Sequence, residues 1–255
     1  MRVRVLGCNG GIGGENLRTT SLLVDQDILI DAGTGLTWLS LTELKTIDHV
    51  FITHSHLDHV AALPLMINSV AELRDKPVNI YSTVATLESI RAHIFNWVIW
   101  PDFSAISVRE RLVMRYKPIT IGQKIALGNR TITALPANHT VPAVGYHLDS
   151  GKAGLVYTGD TSANDMLWPL LNQIDNLRYL IIETALSDRD EPLAHASKHL
   201  YPCLLEMGLK KLLIPAEIFI THLKPSQADL IMSEIRERCG HLNPQMLKND
   251  QIFEF

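Results

Sequence analysis

Cysteine is scarce in this chain. Cys8, Cys203 and Cys239 are its only three among 255 residues, far apart and without a Cys-x-x-Cys pair. That excludes a disulfide-stapled scaffold and a zinc cage built from thiolates. Cys8, beside a glycine-rich turn, reads as a small buried filler. No stretch approaches the roughly 20 apolar residues of a spanning helix, so no membrane partner is expected. Basic runs are missing too: 23 Lys and Arg against 27 Asp and Glu leave a net charge of −4. Long nucleic acid is met by clustered basic side chains, so a small anionic molecule is the expected partner. With no Pro/Ser linker or low-complexity tract, residues 1–255 read as one domain. The opening Met1-Arg2-Val3-Arg4-Val5-Leu6 starts a strand rather than a basic-then-apolar leader, which points to the cytoplasm.

What stands out instead is histidine. His54-Ser55-His56-Leu57-Asp58-His59 follows the apolar run Val50-Phe51-Ile52-Thr53 and precedes Val60-Ala61-Ala62-Leu63. These flanks read as a buried strand and a buried helix with a polar joint, unlike a tag or an idle exposed turn. From an extended segment His54 and His56, two apart, can turn their rings to one ion. Asp58 and His59, beyond a bend, can face a second. More donors recur after strand-like runs: His139 after Thr131–Leu135, Asp160 after Leu155–Thr158, and His222 after Ile218–Thr221. Phe51-Ile52-Thr53-His54 also reappears as Phe219-Ile220-Thr221-His222, an echo compatible with two related halves.

His54-x-His56-x-Asp58-His59, His139, Thr158-Gly159-Asp160-Thr161 and His222, in this order, resemble the motifs of metallo-β-lactamase superfamily hydrolases. Asp31, in Ile28-Leu29-Ile30-Asp31-Ala32-Gly33, matches the acid that orients the metal loop in that family. The resemblance runs from residue 2 to about residue 225. It implies an α/β fold, a four-layer αββα sandwich of two mixed sheets, with an aromatic-rich insertion near 93–117. It also implies two divalent ions, zinc first, with manganese or iron compatible with imidazole and carboxylate donors. His54, His56 and His139 would hold one ion, Asp58, His59 and His222 the other, and Asp160 both.

A narrower likeness, to class II cyclic-nucleotide phosphodiesterases, lies in residues 54–69, in 93–103, in His199-Leu200-Tyr201-Pro202 and in Thr221-His222-Leu223-Lys224-Pro225. Ala62 and Val70 depart from that signature, and residues 138–146 are closer to the superfamily at large. The likeness implies hydrolysis of a 3',5'-cyclic nucleotide of the cyclic AMP type to the 5'-monophosphate by a metal-bridging hydroxide, with Asp58 among the catalytic residues. A leaving alkoxide needs a proton, and His199, oriented by Glu183, is the expected donor; His195 competes if both share a helix face.

Thioesterase or lactonase action, or a ribonuclease Z-like activity, fits the same ligand motifs. A non-catalytic binding protein fits them less well, because every ligand position is filled. A flavodiiron carrier would have Glu at His56. Phe95, Trp97, Trp100 and Phe103 read either as a wall that stacks a base or as the anchor of an insertion or a homodimer contact. The five glycines of residues 7–14 read as a flexible turn near the metal rim rather than a phosphate cradle. His49, His93, His147 and His241 are expected to be structural or exposed.

Strands are expected over 2–6, 21–24, 28–30, 78–82, 131–135, 154–158, 179–182 and 211–220. Helices are expected over 37–44, 60–73, 84–94, 164–173, 197–207 and 227–238.

Overall fold

A computed structural model describes residues 1–14 and 16–255. Strands β1 (Arg2–Gly7), β2 (Ser21–Val24) and β3 (Ile28–Ile30) form an antiparallel meander. Helix α1 (Leu41–Thr46) leads to β4 (His49–Phe51), which pairs parallel to β3. Then come α2 (Leu57–Val60), α3 (Leu63–Val70), β5 (Val78–Ser82) and α4 (Val84–His93). A small hairpin, β6 (Ser107–Val108) and β7 (Arg111–Leu112), precedes β8 (Met114–Pro118), which pairs parallel to β5. The second half repeats the plan. Antiparallel β9 (Lys124–Leu127), β10 (Arg130–Pro136), β11 (Val144–Asp149) and β12 (Gly154–Tyr157) are followed by α5 (Leu167–Leu171). Parallel pairing resumes with β13 (Leu177–Glu183), then α6 (Glu191–Ser197), α7 (Pro202–Leu209), β14 (Glu217–Thr221) and α8 (Ala228–Cys239). Strand β15 (Gln245–Met246) closes the second sheet, and β16 (Ile252–Glu254) returns to pair with β1 in the first.

The two seven-stranded sheets run β16-β1-β2-β3-β4-β5-β8 and β15-β14-β13-β12-β11-β10-β9. Period-two alternation gives the central strands two apolar faces. Val3, Val5, Ile28, Ile30 and Phe51 meet Ile132, Tyr146, Tyr157, Ile181 and Phe219 between the sheets. Their alternates pack outward: Leu29, Val50 and Ile52 under Leu63, Met66, Ile67 and Ile90, and Leu180, Ile182 and Ile220 under Leu205, Ile231 and Ile235. The result is the expected αββα sandwich. The Phe-Ile-Thr-His echo is matched in burial, with Phe51 and Phe219 inside and Ile52 and Ile220 outside. It is not matched in place, since β4 is flanked by β3 and β5 while β14 lies next to a sheet edge.

Several boundaries depart from expectation for local reasons. The helix expected over 37–44 begins later, because Ser40 caps α1: its Oγ accepts from the Glu43 amide and the Glu43 carboxylate accepts from the Ser40 amide. The helix expected over 60–73 is two, separated at Ala61–Ala62 with Pro64 in the first turn of α3. The strand expected over 211–220 is formed only from Glu217 on; Pro215 lies in the connection before it. The helix expected over 197–207 starts only at Pro202, as α7. Helix α6 stops at Lys198, whose φ of 51° is left-handed, and α7 starts afresh at Pro202. Helix α5 occupies only five residues of the expected 164–173. Among the described residues, no helix is long and apolar enough to cross a membrane.

Candidate metal centre

Parallel strands put their C-terminal ends on one rim, and here the rims of both sheets face each other. β3 runs into Asp31, β4 into His54–His59, β12 into Asp160 and β14 into His222, and β13 ends at Glu183. Asp31 is fully buried in the left-handed region, φ 57°, and organises the first loop. Its Oδ1 accepts the Thr53 amide at 2.8 Å, and its Oδ2 accepts the Thr53 hydroxyl at 2.8 Å and His59 Nδ1 at 2.7 Å. Ala32 donates to the His59 carbonyl at 2.7 Å, and a Cβ on Gly33 would lie 2.2 Å from the Asp58 carbonyl oxygen. Only glycine permits that approach. On the opposite rim the His222 amide donates to the Cys8 carbonyl at 2.8 Å, and a Cβ on Gly10 would lie 2.9 Å from His222 Nδ1. The glycine-rich turn is thus the close packing surface behind His222.

The donors converge in two groups, His54, His56 and His139, and Asp58, His59, Asp160 and His222; within each, ligand atoms lie within 4.8 Å of one another. Asp160 joins them. Its Oδ2 is 3.7 Å from His54 Nε2, 3.9 Å from His139 Nε2 and 3.3 Å from His222 Nε2, and its Oδ1 is 3.4 Å from His59 Nε2. His56 Nδ1 is 3.1 Å from His139 Nε2, and His222 Nε2 is 3.0 Å from Asp58 Oδ2.

The chain decides which nitrogen each ring offers. The Thr53 hydroxyl donates to Asp31, so its oxygen takes the His54 Nδ1 proton at 3.0 Å. The Lys198 carbonyl, 3.0 Å from His139 Nδ1, can only accept. Three rings (His54, His59 and His139) therefore turn a bare Nε2 inward. His54 Nε2, His59 Nε2 and Asp160 Oδ1 are buried without a hydrogen-bond partner. Orphaned lone pairs in a dry pocket are costly, and divalent cations held by the two donor groups would satisfy them. The donor set fits divalent metal. Half-buried His56 and Asp58 leave one side of the cluster open to solvent, while the other five donors are buried.

Charge follows the same logic. Burial holds His54 well below the usual imidazole range and lowers His139 to about 4. Burial also raises Asp31. For Asp160 burial acts upward, but His222 and His59 outweigh it and keep the carboxylate ionised. His54 and His139 are therefore held neutral and Asp160 ionised, the states that bind metal, whereas for His59 burial acts downward but Asp160 and Asp31 outweigh it and favour a proton that a bound cation would displace.

His199 adjoins this cluster. It forms a further close group with His139 and Asp160, and its ring stacks on His222 at 5.1 Å between centroids. Its Nδ1 lies 2.8 Å from Glu183 Oε1, which also accepts the Thr161 amide at 2.9 Å, while Glu183 Oε2 takes the Leu200 amide at 3.3 Å. His195 is elsewhere. Its Nε2 faces Glu191 at 3.4 Å and the Tyr201 hydroxyl at 3.4 Å, its side chain is half exposed, and it joins no donor group. The left-handed Lys198 between them ends α6 and abolishes the shared helix face on which the two were expected to compete.

The aromatic segment is not gathered into a wall. Phe95 and Phe103 pack edge to face at 6.5 Å in the layer under α3 and α4, Trp100 leans on that layer, and Trp97 stands exposed. His49 pairs with Tyr81, His147 lies beside Gly154, and His93 and His241 are exposed; none joins a donor group. Cys8 is buried, with its thiol pushed up to about 12 by burial. Two contributors were not foreseen. Thr53 binds both Asp31 and His54, and its place in the repeated Phe-Ile-Thr-His was the available signal. Lys198 orients His139 through its backbone, which no side-chain pattern announces.

The sequence profile described as the β-lactamase superfamily domain matches residues 26–238. The chain belongs to the metallo-β-lactamase superfamily. It is a hydrolase of that superfamily by fold and donor set, and its relatives within it are recognisable. A probable 3',5'-cyclic-nucleotide phosphodiesterase of Yersinia pestis is 26% identical over 293 residues, covering 92% of this chain and 83% of the relative. Ribonuclease Z of Methanopyrus kandleri is 26% identical over 156 residues, covering 59% of this chain and 50% of the relative. Among solved superfamily folds, unliganded yeast PDE1 superposes with a TM-score of 0.82 at 19% identity, over 100% of this chain and 99% of the other. That likeness concerns the fold alone.

Proposed function

We propose that the chain is a dinuclear metal-dependent phosphodiesterase that opens a 3',5'-cyclic nucleotide, of the cyclic AMP type, to its 5'-monophosphate. The observation that carries this reading is the His199–Glu183 pair set against the metal donors. The similarity to the Yersinia protein along most of the chain points the same way. In this reading His54, His56 and His139 hold one ion, Asp58, His59 and His222 the other, and Asp160 lies between them. Bound there, divalent ions, zinc first, supply positive charge for the phosphate and a water whose pKa falls to about 7.

The protein's own groups do the rest. Opening the ring adds one water across the bond from phosphorus to the 3' oxygen, and that oxygen departs as an alkoxide. Glu183 accepts the Nδ1 proton of His199, so the Nε2 proton is the one available to the leaving oxygen. Burial lowers the affinity of His199 for that proton, but Glu183 outweighs it, and the net direction is upward. A thioester, whose thiolate leaves unaided, has little use for such a donor. The ribonuclease Z relative shares part of the chain, but a net charge of −4 speaks against an extended RNA substrate. Three free cysteines, one of them only half-buried, agree with a cytoplasmic setting.

The test is a substrate panel with metal analysis. Purified protein is assayed with cyclic AMP, bis-p-nitrophenyl phosphate, a thioester and a lactone. Turnover of the two phosphodiesters with two ions per chain is expected; turnover of the thioester or lactone alone refutes the reading.

A further inference from the structure

Beside the metal donors runs an open groove of about 670 Å³ that shares His139 with them. Its walls leave the same rim as the metal loops. Val84 follows β5, Ile119 and Ile121 follow β8, and Val141 and Pro142 lie between β10 and β11. Ligands of sheets with parallel strands lie outside the carboxyl ends of those strands. The groove's two sides are tied where the Thr86 hydroxyl donates to the Pro142 carbonyl at 3.2 Å. Ile119 is buried, while Val84 and Ile121 are 54% and 51% exposed. Apart from His139, no lining side chain is titratable. The groove offers a phosphate no Lys or Arg, while its aliphatic walls with the Thr83, Thr120 and Asn138 side chains among them suit an uncharged, flat organic group, and the volume matches that of small-ligand sites.

We propose that this groove receives the nucleoside part of the substrate, base and ribose against Val84, Ile121 and Pro142, while the cyclic phosphate lies at the metal donors and His199. The proposal rests on the phosphodiesterase reading above and assigns its specificity to aliphatic side chains rather than to the aromatic segment at 95–103. Substrate lacking a nucleoside gains nothing from the groove.

Val84→Trp, which fills the groove, and Ile121→Gln, which makes it polar, separate the two parts of the substrate. Both positions are exposed and lie outside the donor set, so neither folding nor metal content should change. Cyclic AMP is compared with methyl p-nitrophenyl phosphate, which has the same phosphorus chemistry and no nucleoside. Each variant should raise KM for cyclic AMP about tenfold and leave methyl p-nitrophenyl phosphate within about twofold. Adenosine, titrated by calorimetry, should bind the wild-type protein and weaken about tenfold in each variant. An unchanged KM for cyclic AMP, or an equal loss on both substrates, overturns the groove assignment and leaves the phosphodiesterase reading standing. A wild-type protein that hydrolyses neither substrate removes the reading itself, and the groove assignment with it.

Discussion

Glu183, at the end of β13, meets His199, in the turn between α6 and α7, at 2.8 Å, with the carboxylate fully buried and the imidazole ring stacked on His222. A buried carboxylate that also holds two backbone amides cannot easily swing away, so the ring it grips is fixed in orientation and tautomer.

His199→Ala should therefore slow substrates according to their leaving groups. Cyclic AMP, which expels a poor alkoxide, should lose about 10²–10⁴-fold in kcat, as general acids commonly contribute. An activated aryl diester, which expels nitrophenolate, should change far less. Equal losses on the two would argue against proton donation.

The pH dependence follows from the raised pKa of His199, which Glu183 holds up against burial. The protonated form is present below that pKa and is lost as pH rises through it, so kcat for cyclic AMP should fall on an alkaline limb. Glu183→Gln removes the supporting charge and should move the limb to lower pH. A limb that stays in place in that variant would assign it to another group.

Asp160 lies beside His54 and His139 of one donor group and His59 and His222 of the other, and its removal should be felt by both. Asp160→Ala is expected to lose both ions and all turnover, read by elemental analysis on folded protein. His56→Ala should likewise abolish metal loading and turnover together. Chelation of the wild-type protein should stop hydrolysis and zinc should restore it. An Asp160→Ala protein that keeps two ions at full rate would defeat the bridging role.

Asp31→Asn tests the support beneath the loop. Asparagine tolerates the left-handed backbone at φ 57°, so the fold should persist, but the carboxylate that faces His59 is gone. Metal affinity should drop about 10–100-fold, as for other outer partners of metal-bound histidines. Affinity equal to wild type in a competitive chelator titration would remove Asp31 from that role.

Away from the site, Arg130 stitches the two sheets by reaching Asp27 at 2.6 and 2.8 Å and Asp25 at 3.0 Å. Its hydrogen bonds hold Asp27 below the usual carboxylate range. A depressed carboxylate stabilises the fold above its unfolded pKa of about 4, and the effect is lost as pH falls through the folded value. Because the pair is partly solvated, Arg130→Met should cost about 0.5–1 kcal/mol at neutral pH. The difference in thermal stability from wild type should shrink on acidification, and a gap that widened would contradict the sign.

The candidate donors were legible because strand periodicity and loop position are local properties. His54, His56, Asp58, His59, His139, Asp160 and His222 each follow an apolar run, and a strand that ends on a rim delivers its next residues there whatever else the chain does. The sandwich was implied by the resemblance of the ordered motifs to the metallo-β-lactamase superfamily, and the buried strands with two apolar faces agree with it. Short strands such as β6, β7, β15 and β16 were not legible; two or three residues hold no periodicity, and pairing with distant partners creates them.

Sequence alone thus determined which side chains reach the rim, because that depends on neighbours a few residues apart. Tertiary structure decided which nitrogen His54, His59 and His139 present, since Asp31, which takes the Thr53 hydroxyl and His59, and the Lys198 carbonyl come from elsewhere in the chain. It also separated His199 from His195, through one left-handed residue at Lys198, and sent Phe95 and Phe103 into the core instead of to the site. Those outcomes are settled by packing and by hydrogen bonds between residues far apart in sequence, where no local pattern reaches.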